Sequence, residues 1–132
     1  MNTAYLDTLP EVKNKFKVDL LPGEKVILCA KPHGFCTDAD LLLGADDTKI
    51  TMTNRRMIAD NGNGLWIVDF AEDATDMRKV EKGTGWNKVV GIQLTMNKEI
   101  TFGMGIQKLH GYLYAFKKKD MAKVEEIAAH MR

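Results

Sequence analysis

At 132 residues, with 45% hydrophobic and 28% charged side chains, the chain has the size and composition of one globular domain that buries a core without covalent staples. A formal net charge of +1 excludes a global field that would draw the chain onto nucleic acid, although a local basic face is still open to it. Two cysteines, Cys29 and Cys36, do not make a disulfide framework, and the opening MNTAYLDTLPEV has no apolar leader. The expected location is therefore the cytoplasm.

Thr8 and Glu11 have capping-box spacing, with Pro10 tolerable in a first turn. Tyr5, Leu9, Val12 and Phe16 then form one apolar stripe, which predicts a short helix ending before Pro22-Gly23. EKVILCA reads as a strand apolar on both parities, interrupted by Pro32 and Gly34. ADLLLGADD is ambiguous between a strand end, a helical turn and an acidic loop. In KITMTNRRMIADNGNG, Ile50 and Met52 hold one parity and Met57 and Ala59 the other. A slip of one residue exchanges the faces of a strand. A tight turn at Asn54–Arg55 removes the conflict, with Asn54 tolerant of a left-handed conformation. The pattern thus predicts strands over 48–53 and 56–60, a hairpin turn at Asn61-Gly62-Asn63-Gly64, and a strand over Leu65–Phe70.

Residues 71–88 read as a polar connection with a short strand at Met77–Glu81. Lys88–Thr95 is a strand, Met96-Asn97-Lys98 a turn, and Glu99–Gly103 the returning strand. Gly111–Phe116 places Tyr112, Tyr114 and Phe116 on one face. Met121, Val124, Ile127, Ala128 and Met131 make the apolar stripe of a C-terminal helix. Strands divided by turn signals and followed by one amphipathic helix predict a small β-barrel or sandwich closed by that helix.

Three of these stretches resemble the bacterial PH-like and GRAM families. KITMTNRRMIADNGNG is similar to their strand ending in Thr-Asn-Arg/Lys-Arg, after which a second strand begins at once. LPEVKNKF…LLPGEKVILCAKPHG resembles their opening helix and Gly-Glu-Lys-Val strand, and NKEITFG with GYLYAFKKKDMAKVEEI resembles their last strands and helix. The likeness covers about residues 8 to 131 and fails over 71–88. It implies a mainly β, PH-like fold of about seven antiparallel strands in two near-orthogonal sheets, in one domain over 1–132. The lead-in over 1–21 would be helical and the helix over 117–132 would cap the sheets. It implies recognition rather than catalysis.

The side chains that carry chemistry form few constellations. Cys29, His33, Cys36 and Asp38 have donor atoms for zinc, but no second Cys/His pair completes the usual four ligands. Structural cysteines are preferred and no metal or other cofactor is expected. Asp38, Asp40, Asp46 and Asp47 fail the EF-hand order, since Leu42 occupies its fifth position and Gly44 falls late. Gly83-Thr84-Gly85 and Gly103-Met104-Gly105 lack the third glycine of a dinucleotide loop. No serine occurs, so a serine nucleophile is excluded, and nothing marks either cysteine as activated.

Candidate binding residues are therefore Arg55 and Arg56 at the tight turn, Trp66, and the run Lys117-Lys118-Lys119. One of the two arginines is expected in solvent and the other along the sheet, where it pins neighbouring loops through Asp60, Asp69 or Asp73. Either one also suits an anionic ligand or an acidic partner. Leu65-Trp66-Ile67-Val68 is apolar on both parities, so one face fills the core and the other needs a cover. The N-terminal helix is one cover. A second chain meeting Trp66 is the other. The reading is a non-enzymatic interaction module with a protein partner or itself, and no nucleic acid. The alternative is peripheral binding of anionic lipid headgroups at the membrane.

Overall fold

Thr53, Asn54, Arg55 and Arg56 reverse the chain between two strands. The computed structural model, which describes residues 1–39, 42–43, 47–102 and 107–132, pairs Met52 with Met57 and Ile50 with Ala59 across that reversal. All four side chains lie in the core, so the turn resolves the parity conflict as expected. It does so without a left-handed residue at Asn54, since Lys17 is the non-glycine with positive φ among the described residues. The Thr53 hydroxyl replaces that need by accepting the Arg55 and Arg56 backbone N–H groups at 3.0 and 2.8 Å.

The described strands form two antiparallel four-stranded sheets. In the first sheet, β1 (Val26–Ala30), β3 (Lys49–Thr53), β4 (Arg56–Asp60) and β5 (Leu65–Asp69) lie side by side in that order. The second has the order β2 (Gly34–Thr37), β8 (Gln107–Ala115), β7 (Val89–Phe102) and β6 (Ala74–Lys82). The link through Pro32 carries the chain from one sheet into the other, and the sheets do not close into a barrel. Their inner faces meet around Phe35, Met52, Met57, Met77, Leu94 and Tyr114, all fully buried. Each such side chain contributes about 1.5–3 kcal/mol through burial.

The C-terminal helix α2 (Lys118–Met131) forms as its stripe predicts, burying Met121, Val124, Ile127, Ala128 and Met131. The N-terminal helix does not. Only Ala4–Asp7 (α1) is helical, and Thr8 ends it rather than starting one, its hydroxyl donating to the Tyr5 carbonyl at 2.7 Å. Pro10 then follows a helix instead of opening one. The chain continues without helix, turning at Lys15-Phe16, and the Val12 N–H donates to the Val26 carbonyl at 2.9 Å. Leu6, outside the expected stripe, is the α1 side chain that reaches the core, while Tyr5 stacks on His130 of α2 with ring centroids 3.9 Å apart.

Two further expectations over the second sheet need correction. The expected short strand at Met77–Glu81 extends over nine residues as β6, because the preceding reversal is tight. Asp69 Oδ1 accepts the Ala71 and Glu72 N–H groups and confines that reversal to a few residues. A register shift between Ala74 and Asp76 lets Ala74 and Met77 both face inward, which hides the period of two. The expected turn at Met96-Asn97-Lys98 is absent, and β7 runs through it for 14 residues. Asn97 is held there by its N–H to Asp73 O at 2.8 Å and its side-chain amide to Glu72 O at 2.8 Å. The irregularity is a shift of register against β8 instead. Asp40 and Asp46 of the acidic loop, and the Gly103-Met104-Gly105 fragment, lie outside the described residues.

Candidate functional site

The two arginines of the tight turn have different fates. Arg56 is half-buried and binds Glu24 through two parallel bonds, Nε to Oε2 at 2.8 Å and Nη2 to Oε1 at 2.7 Å. Nη2 also donates to the Asp19 carbonyl at 2.8 Å. The Thr53 hydroxyl donates to Glu24 Oε2 at 2.6 Å and the Leu21 N–H to Oε1 at 2.9 Å. Burial by itself would raise the Glu24 pKa, but the Arg56, Thr53 and Leu21 hydrogen bonds outweigh it and hold the carboxyl down at about 2. Asn54 completes the junction. Its side chain accepts the Lys25 N–H at 2.9 Å and donates to Asp7 Oδ1 at 2.9 Å.

Arg56 therefore pins loops, as the structural reading expected, but through Glu24 rather than the hydrogen bonds to Asp60, Asp69 or Asp73 that the sequence suggested. Asp69 contributes only a longer-range attraction. A guanidinium already satisfied by a bidentate carboxylate has little left for a ligand. Arg55 is exposed, beside a polar hollow of about 350 Å³ that it lines with Thr3, Asp69, Ala71 and Glu72. Two carboxylates in those walls oppose an anion.

A different surface gathers cations. The non-helical segment after Pro10 lies beside β1 and leaves a cleft of about 450 Å³ lined by itself, β1 and α2. Its floor is Val12, Ile27 and Leu28, and its walls include Lys13, Lys15 and Lys123. A second cleft of about 200 Å³ adjoins it, sharing Lys15 and Cys29, and adds Lys31, Lys117 and Lys119. No Asp or Glu lines either cleft among the described residues. Lys123 Nζ is spent on the Ile27 carbonyl at 3.2 Å, and Lys15 lies over the Phe16 ring. The result is an apolar floor walled by ammonium groups, a form that suits an anion with an apolar or extended body.

Of the lysine run, Lys117 and Lys119 face this groove. Lys118 lies around the end of α2 in a separate hollow with His33, Lys79, Val90, Phe116 and Met121. Trp66 does not cover an outer face. It points inward beside Val68, half-buried and edge-on to Tyr112 with centroids 6.2 Å apart, while Leu65 and Ile67 are 59% and 41% exposed. The residue expected at an interface is thus a core-side residue, and its neighbours hold the outward positions. Cys29 sits in the groove and contacts the Lys13 carbonyl at 3.6 Å, whereas Cys36 lies in β2 of the other sheet. The described residues gather no group of three His, Cys, Asp or Glu able to hold a metal.

Sequence reasoning missed Lys13, Lys15, Lys31 and Lys123. Their shared surface depends on the N-terminal segment leaving its helix at Asp7. Comparison with family models, curated proteins and solved structures gives no match. No described helix is long and apolar enough to cross a membrane.

Proposed function

We propose that the chain is a non-enzymatic recognition module of PH-like architecture that holds an anionic partner in the lysine-walled groove. Support for the architecture comes from the strand order. Two antiparallel sheets followed by a C-terminal helix are consistent with what the sequence resemblance implies. The observation that carries the function is the segregation of Lys13, Lys15, Lys31, Lys117 and Lys119 around one apolar floor, in a chain whose net charge is only +1. None of the five forms an ion pair among the described residues, so their charge is available to a ligand. Strongly shifted groups elsewhere belong to the buried Glu24–Arg56 pair and the core Tyr114, neither arranged as an acid–base pair in a cleft, which favours binding over catalysis.

The test is titration with two anionic probes, inositol hexakisphosphate and a polyglutamate peptide, at low and high salt. The expected result is salt-sensitive binding that a Lys15→Glu, Lys31→Glu, Lys119→Glu variant loses while keeping its fold. No binding of either probe, or equal binding by the variant, overturns the reading. A second reading, pairing with a protein or another copy, is favoured by β5. It is the edge of its sheet, and Leu65 and Ile67 lie exposed along it.

A further inference from the structure

Trp86 is fully exposed. It stands at the tip of the β6–β7 hairpin, where Gly83 and Gly85 take left-handed φ values of +84° and +60° and a single turn of 3-10 helix spans Gly85–Asn87. Both glycines serve the sharp reversal that lifts the indole off the sheet. Val89, at the start of the returning strand, is 43% exposed. An indole buries on the order of 150–250 Å² when it packs, so one left wholly in water contributes nothing to this fold.

The pairing registers place that tip. Lys82 pairs with Val89, Val80 with Gly91, Ile92 with Tyr114 and Gly34 with Ala115. Beyond this row lie the hairpin tip, the β8–α2 junction and the β1–β2 link, all at one end of the second sheet. Trp86 therefore shares that end with Lys31, Lys82, Lys88, Lys117, Lys118 and Lys119. Glu81 is there too, paired with Lys88 at 2.9 Å, as is Asp120 in the first turn of α2. Cations outnumber carboxylates at this end.

We propose that this end docks on an anionic bilayer surface, with Trp86 inserted at headgroup depth as the anchor. The inference rests on the groove reading and names its partner. A tryptophan ring with a polar N–H settles at the membrane interface, and lysines around it meet anionic headgroups. A protein partner fits less well. Protein interfaces are depleted in lysine, and their anchoring aromatics sit within a broader packed patch, whereas here the charged residues that share this end of the sheet are mostly lysines.

The experiment is co-sedimentation with phosphatidylcholine vesicles, with and without phosphatidylserine, in parallel with the inositol hexakisphosphate titration. Quenching of tryptophan emission by brominated lipid reports insertion. The wild type is expected to bind only the phosphatidylserine vesicles, to release at high salt, and to be quenched. Trp86→Ala, at a site with no packing to lose, should bind these vesicles about fiftyfold more weakly, as expected when roughly half an indole's apolar area is no longer buried. It should also lose the quenching while binding inositol hexakisphosphate as before. Vesicle binding and quenching unchanged in Trp86→Ala overturn the anchor and leave the groove reading standing. Binding of inositol hexakisphosphate without vesicle binding overturns the membrane partner alone. Failure to bind either probe or vesicle removes both.

Discussion

Replacing Glu24 by glutamine keeps the size of the side chain and removes its charge. The Arg56 guanidinium, whose side chain is 13% exposed, then loses its counter-charge and one of its two bonds to this residue. Two routes give the cost. Folding lowers the Glu24 pKa from 4.5 to about 2, a gap of about 2.5 pH units. At about 1.4 kcal/mol per unit, that is roughly 3–4 kcal/mol of stability at neutral pH. Removing one partner of a buried ion pair costs about 3–5 kcal/mol by mutation, and glutamine's remaining carbonyl puts this case at the lower end. The two agree near 3 kcal/mol, a large share of the 5–15 kcal/mol typical of a domain.

The sign of the pH dependence follows from the same numbers. The folded pKa is depressed, so the contribution is complete above about 4.5 and is lost as pH falls toward about 2. Glutamine does not titrate. Urea unfolding of the two proteins across that range should therefore show a gap of about 3 kcal/mol at neutral pH that closes on acidification. Equal stabilities at neutral pH, or a gap that persists unchanged below pH 2, would show that the pair does not organise this junction. Arg56→Lys keeps the positive charge but should also lose stability, since a lysine cannot make the two parallel bonds.

Gly111→Ala would set a Cβ 2.2 Å from the Leu94 carbonyl oxygen, with Thr95 Cα 3.1 Å away. Backbone cannot yield as a side chain does, so calorimetry should show a loss above about 3 kcal/mol. Gly91→Ala, which meets the movable Leu113 Cδ1 at 2.8 Å and the Tyr114 carbonyl oxygen only at 3.0 Å, should lose less. Ile127→Asp buries an unpaired carboxylate under α2 and should cost several kcal/mol by denaturant titration; an unchanged midpoint would mean that α2 does not cap the sheets. At β5, Trp66→Lys should destabilise the fold. Ile67→Lys should spare it and, if light scattering finds the wild type self-associated, weaken that association.

Much of the fold was legible because local signals and burial agree. The helical stripe of 121–131 lies far from any competing turn chemistry, and all five of its apolar residues are buried. The parity change between Met52 and Met57 admits few geometries, and the sheet realises the tight turn. Where reading failed, a tertiary partner decided. Asn97 belongs by composition to a turn, yet bonds to Asp73 and Glu72 keep it in a strand. The stripe Tyr5, Leu9, Val12, Phe16 has helical spacing, but the Val12 N–H is taken by Val26 and the segment is not helical.

The candidate site was less legible for a related reason. Lys117 and Lys119 are visible as a run, and a run of lysines before a helix is ordinarily a solvated turn. What changes their meaning is Lys13 and Lys15 from one end of the chain, Lys31 from the strand link and Lys123 from the next helical turn. No window of sequence contains them together, and a net charge of +1 conceals them. The arginines misled in the opposite direction. Their spacing drew the eye, but the carboxylate that neutralises Arg56 stands 32 residues earlier, in a Gly-Glu-Lys-Val stretch read only as the start of a strand. Charge that folding pairs is structural, and charge that folding gathers without a partner is available for recognition. On this surface the lysines, not the arginines, are the cations that the fold leaves free.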